Sequence, residues 1–139
     1  MFWSPGYTAI LSVATTGGSV DTVTKDIAWL SDFITDQSSV YFSENDTGDI
    51  RAVPLDGGPA TTIASGLRGS FNILAQDATK VYFITQKTLQ SVTKAGGQVD
   101  FLNAPDLVED PFFPASLAAD DRRVYWTEPP AQLIGVLGK

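Results

Sequence analysis

Hydrophobic and polar positions alternate along this chain in short runs separated by turn residues. Between residues 31 and 65 the pattern predicts four strands. Asp32-Phe33-Ile34-Thr35 runs into a turn at Asp36 to Ser39, and Val40-Tyr41-Phe42-Ser43 follows. That second run is β-branched and aromatic, a composition suited to a pleated, half-buried surface. Glu44 to Asp49 is polar and contains Gly48, and Ile50-Arg51-Ala52-Val53 then alternates with period two. A turn at Leu55-Asp56-Gly57-Gly58 leads to Thr61-Thr62-Ile63-Ala64 as the fourth strand. Residues 71–103 predict the same scheme, with strands at Ile73 to Ala75, Val81 to Thr85, Leu89 to Val92 and Val99 to Leu102. Ala28-Trp29-Leu30 and Asp106 to Glu109 have room for one helical turn each, and no longer helix is indicated.

The strands recur at a fixed period. Val40-Tyr41-Phe42, Val81-Tyr82-Phe83 and Val124-Tyr125-Trp126 place their tyrosines 41 and 43 residues apart. An Asp stands four positions before each Val, at Asp36, Asp77 and Asp120. Glycine pairs fall at 17–18, 57–58 and 96–97, and Val13, Val53, Val92 and Val136 keep the same phase. The earliest glycine pair implies an earlier unit, with Met1-Phe2-Trp3 in the place of its aromatic strand. The chain therefore divides into units at about 1–24, 31–65, 71–103 and 114–139, the first and last partial, within one segment spanning 1–139. The first unit lacks its first strand and the last lacks its fourth, so the expectation is 14 strands. A four-stranded unit of roughly forty residues is the size of a β-propeller blade.

Composition narrows the chemistry. The 139 residues contain neither Cys nor His. Disulfides, thiol nucleophiles and Cys-based zinc sites are excluded, and the usual general base and commonest metal ligand are missing. A Ser-His-Asp triad cannot form, the five lysines show no Ser–Lys spacing, and the glycine pairs sit at hairpin turns rather than before a helix, as a phosphate loop requires. The net charge of −7 argues against nucleic acid as a partner, since that affinity comes from Lys and Arg. No apolar run reaches membrane-spanning length and no signal peptide is visible at Met1 to Gly6, so neither a cytoplasmic nor an exported setting is indicated.

The stretch DQSSVYFSENDTGDIRAVPLDGGPATTIAS resembles the six-bladed propellers whose blades carry a Tyr-Trp-Thr-Asp motif, as in low-density-lipoprotein-receptor ectodomains and their bacterial relatives. Val124-Tyr125-Trp126-Thr127-Glu128 is the nearest copy, with Glu in place of the final Asp. The resemblance covers essentially the whole chain and implies an all-β fold of four-stranded antiparallel blades, about three and a half of them. It says little about activity, because fold does not fix function. Phe42-Ser43-Glu44 and Trp126-Thr127-Glu128 also resemble a strand of streptogramin-lyase-like propellers. Their chemistry depends on His and a metal, so a chain without His lacks the catalytic residue.

An open arc of blades exposes sheet faces and strand edges. Closure by a second copy, as a homodimer of half-propellers with about eight blades, is one expectation. A fragment of a longer propeller with no activity of its own is the other.

Asp36, Asp77 and Asp120 read as turn acceptors that serve each blade, and the repeated aromatics read as packing between sheets. Glu44-Asn45-Asp46 reads as a solvated turn, since its spacing does not match a calcium loop. Candidate contact residues fall where loops break the repeat, on the face formed by second-to-third and fourth-to-first strand connections. These are Trp29, Glu44, Asn45, Arg68, Phe112 and Phe113, the last two within the long connection Pro105 to Pro114. The function expected from these features is a non-catalytic module, without cofactor or metal, that self-assembles and binds a protein or small ligand.

Overall fold

A computed structural model of the chain describes residues 1–67, 74–85, 88–102, 116–128 and 133–139. The described residues form 14 strands in four antiparallel sheets of three, four, four and three strands. Blade 1 holds β1 (Phe2–Trp3), β2 (Ala9–Ser12) and β3 (Asp21–Lys25). Blade 2 holds β4 (Leu30–Thr35), β5 (Ser39–Glu44), β6 (Asp49–Pro54) and β7 (Thr61–Ala64). Blade 3 holds β8 (Leu74–Gln76), β9 (Lys80–Thr85), β10 (Thr88–Thr93) and β11 (Asp100–Phe101). Blade 4 holds β12 (Ser116–Ala119), β13 (Arg123–Glu128) and β14 (Leu133–Gly138). Each sheet is a meander in which every strand pairs with its sequence neighbour. Among the described residues no helix is present, and none is long and apolar enough to cross a membrane.

The predicted first-to-second strand turns are hydrogen-bonded as acids require. Asp36 Oδ1 accepts the N–H groups of Ser38 and Ser39 at 2.8 and 2.9 Å. Asp77 Oδ1 does the same for Thr79 and Lys80, and Asp120 Oδ1 for Arg122 and Arg123. In each of these three blades the other carboxylate oxygen accepts the hydroxyl of the following tyrosine, from Tyr41, Tyr82 and Tyr125. One carboxylate thus shapes the turn and orients an aromatic ring five residues on.

Three apolar cores separate the four blades. Ile10, Ile27, Leu30, Val40, Phe42 and Val53 pack between blades 1 and 2. Tyr41, Ile50, Ile63, Leu74, Val81, Phe83 and Val92 pack between blades 2 and 3. Tyr82, Ile84, Leu89, Val124 and Trp126 pack between blades 3 and 4. The alternation along a strand explains the arrangement: Val40 and Phe42 face back to blade 1, while Tyr41 between them faces forward to blade 3. Each such fully buried side chain contributes about 1.5–3 kcal/mol.

Two expectations are corrected. Val136 does not hold the position of Val53 and Val92. Val53 stands opposite Val40 and Val92 opposite Val81, but the residue opposite Val124 is Leu137. Val136 pairs with Tyr125, and one residue along a strand reverses the face. Ala28-Trp29 forms a bend rather than a helical turn, and Leu30 already opens β4. The one-turn helix considered at Asp106 to Glu109 lies outside the described residues.

Candidate functional site: an aromatic stack on the loop face

Three connections meet beside blades 1 and 2: residues 4–8, residues 26–29 and residues 45–48. The middle one is pinned from both sides. Ile27 N–H donates to Thr8 O at 3.1 Å and Leu30 N–H to Tyr7 O at 2.7 Å. Asn45 N–H donates to Trp29 O at 2.9 Å, and Ala28 N–H donates to Glu44 Oε1 at 3.2 Å. Asp26 and Trp29 are held at φ 57° and 58°, the left-handed region that a bulky side chain rarely enters. This backbone puts the Trp29 indole against the Tyr7 ring, with centroids 5.0 Å apart and planes 6° from parallel. Both rings are open to solvent, Tyr7 at 60% and Trp29 at 52% exposure.

Glu44 is not the solvated turn residue read from sequence. Its side chain is only 3% exposed, because Arg51 reaches across from β6 and covers it. Arg51 Nη1 donates to Glu44 Oε1 at 3.3 Å, and Thr47 Oγ1 donates to Oε2 at 3.2 Å. The guanidinium also lies 5.8 Å from the Phe42 ring centroid and donates to Ala60 O. Every oxygen of Glu44 is therefore engaged within the protein. It positions the loop that displays Trp29 rather than meeting a ligand itself.

Below the stack lies a cleft of about 420 Å³ lined by Ser4, Pro5, Gly6, Tyr7, Leu30, Ser31, Asp32 and Phe33. Asp32 lines it by its backbone, while its carboxylate turns to blade 3 and is engaged within the protein. Burial pushes the Asp32 carboxyl up, against the N–H donors of Leu74 and Phe33, both at 2.8 Å. The open aromatic pair itself suits a ligand with a flat or cationic group.

The structure thus brings Trp29, Glu44 and Asn45 together. Arg68, Phe112 and Phe113 lie outside the described residues. Sequence reasoning missed Tyr7. Tyr7 was within reach, because it sits in the second-to-third strand connection of the first unit, on the face already singled out. Among the described residues no group of three or more acidic side chains could hold a metal.

No protein-family model matches the sequence, and no curated protein matches it. Solved structures do. A chain of a nidogen/laminin complex superposes with a TM-score of 0.78 at 16% identity, over 99% of this chain and 54% of that one. The chain thus spans about half the length of that relative. The computationally designed Ika4 protein matches at 0.69 and 15% identity, over 94% and 79%. YCF48 bound to D1 peptide matches at 0.51 and 11% identity, over 94% and 46%. Together with the four-sheet meander, these likenesses define the fold as a run of β-propeller blades.

Proposed function

We propose that the chain is a non-catalytic β-propeller module of the Tyr-Trp-Thr-Asp type, whose loop face binds a protein or small ligand. The observation that carries this reading is the solvent-open Tyr7–Trp29 stack, held on strained backbone by a buried carboxylate. Strain of this kind persists only where the surroundings enforce it, and it concentrates at working surfaces. Two of the similar structures are complexes, with laminin and with a peptide, and this favours a binding role. The absence of His and Cys removes the commonest catalytic groups. The ligand class that fits is a peptide segment or small molecule with a cationic or flat group. The test is titration by NMR with an Arg-containing peptide and a Glu-containing control. Shifts at Tyr7 and Trp29 for the first alone, lost in Trp29→Ala, support the reading. Equal shifts for both peptides, or none, refute it.

A second reading, closure with another copy, rests on a different observation. Ile10, Ile50 and Leu89 occupy one blade position, facing the next blade, and are 0% exposed. Ile134 holds that position in blade 4 and is 70% exposed. On the opposite face Val40, Val81 and Val124 are 0% exposed, while Met1 in blade 1 is 71% exposed. The two open faces are the two halves of an interface used three times within the chain. Light scattering across a dilution series should give twice the monomer mass. A monomer at all concentrations refutes closure.

A further inference from the structure

The seams between blades carry a second repeated device. At the blade 2–3 seam, Lys94 Nζ lies 2.7 Å from Asp36 Oδ2 and 5.1 Å from the centroid of the Tyr41 ring. At the blade 3–4 seam, Lys139 Nζ bonds Asp77 Oδ2 and lies 4.6 Å from the Tyr82 centroid. Each clasp takes acid and phenol from one blade and ammonium from the next. The lysine follows two residues after the position of Val92 or Leu137. The first seam is built differently. Phe2 replaces the tyrosine, Leu55 replaces the lysine, and both pack into the same apolar core. The residue across the seam matches the aromatic it meets: Leu opposite Phe, Lys opposite Tyr.

Blade 4 carries the complete acceptor half. Tyr125 Oη donates to Asp120 Oδ2 at 2.8 Å, and Oδ1 takes two backbone N–H groups at 2.7 Å. Among the described residues no side-chain cation pairs with the Asp120 carboxylate. Ile134 and Val136 flank this cradle and are exposed at 70% and 48%. On blade 1 the position two residues after Val13 is Thr15, an exposed residue.

The geometry points to a docking surface for a second copy of this chain: the open face of blade 4 takes blade 1 of that copy, with Asp120–Tyr125 as the unfilled half of a third clasp opposite Thr15. This rests on the closure reading above. The occupant follows from the pattern, because the Met1 face of blade 1 is the same face that Val81 and Val124 present at the internal seams. Thr15 is too short to reach the acid, so the copy-to-copy seam is apolar at its centre and lacks the charge that locks the internal ones. It is the weak, reversible seam of the ring.

The test is the self-association constant of the full chain, by sedimentation equilibrium, for wild type, Thr15→Lys, Thr15→Lys/Asp120→Asn and Ile134→Glu. All three sites are exposed, and far-UV circular dichroism checks that each variant keeps its strands. Thr15→Lys should tighten association about fivefold per seam, from the ion pair and ring contact together. Two identical seams close a two-fold ring, so the dimer constant should improve by about 25-fold. The gain should vanish in the Asp120→Asn background and shrink at high salt. Ile134→Glu should abolish association. If wild type dimerises and Thr15→Lys is no tighter, or the gain survives Asp120→Asn, the clasp is wrong and closure stands. If Ile134→Glu dimerises like wild type, the docking face is wrong. If neither wild type nor Thr15→Lys associates at millimolar concentration, both the clasp and closure are overturned.

Discussion

Replacing Lys94 with Met tests whether the clasps hold neighbouring blades together. Methionine keeps the apolar stem of the side chain and removes the ammonium. The lost contacts are an ion pair at 2.7 Å, with 15% and 24% of the two side chains exposed, and a cation over the Tyr41 ring. Fully exposed pairs are worth about 0.2–1 kcal/mol, and a cation over a ring adds about 0.5–1 kcal/mol at an open site. The seam is largely but not wholly shielded, so the expected cost is about 1–2 kcal/mol at neutral pH. The pH dependence fixes its origin. Burial raises the Asp36 carboxyl, but the Lys94 ammonium and the Ser38 and Ser39 donors outweigh it and hold it well below the usual carboxylate range. A carboxyl depressed in the folded state stabilises above its unfolded value, near 3.9, and this stabilisation is lost as pH falls toward the folded value. The gap between wild type and Lys94→Met, measured by urea denaturation, should be constant from about pH 5 to 7 and narrow below about pH 4. An Asp36→Asn/Lys94→Met cycle should return a coupling of about 1 kcal/mol. A gap that is the same at pH 3 and pH 7, or a coupling indistinguishable from zero, would refute the ionic account and leave only stem packing.

Other outcomes follow from single contacts. Glu44→Ala leaves the Ala28 N–H and the Arg51 guanidinium without their acceptor, so it should cost about 1–3 kcal/mol, and hydrogen exchange at Ala28 should speed up before that of β5. Gly48 and Gly66 share nearly the same φ, 71° and 68°, but a Cβ on Gly48 would overlap Leu67 O while one on Gly66 meets nothing. Gly66→Ala should therefore cost about 1–2 kcal/mol, the left-handed penalty alone, and Gly48→Ala clearly more, as read by thermal melting. Gly135→Ala should cost about 1–3 kcal/mol and loosen the blade 3–4 core, because a Cβ there would fall 1.9 Å from the Trp126 ring. Unchanged near-ultraviolet dichroism in that variant would count against it.

The blades were legible in the sequence because every mark of the period is local. An Asp bonding N–H groups two and three residues on, a tyrosine five residues on, and a glycine pair at a hairpin all act within one unit. What joins the blades acts across units. Lys94 meets Asp36 over 58 residues and Lys139 meets Asp77 over 62, and neither lysine carries a local pattern that marks it. The same distance problem hid the state of Glu44. Its loop is polar and looks solvated, and only the pairing of β5 with β6 brings Arg51 over it. Register failed at Val136 for a related reason: spacing counts residues, whereas the face is set by the partner across the hairpin. Yet the seam rule becomes visible in the sequence once the geometry is known. Phe2 goes with Leu55, Tyr41 with Lys94 and Tyr82 with Lys139, so the residue two places after the third-strand anchor reports which aromatic the preceding blade presents. By that rule Tyr125 asks for an ammonium, and in the proposed pairing of two copies Thr15 supplies none, so a lysine placed at that position is the change expected to alter the pairing.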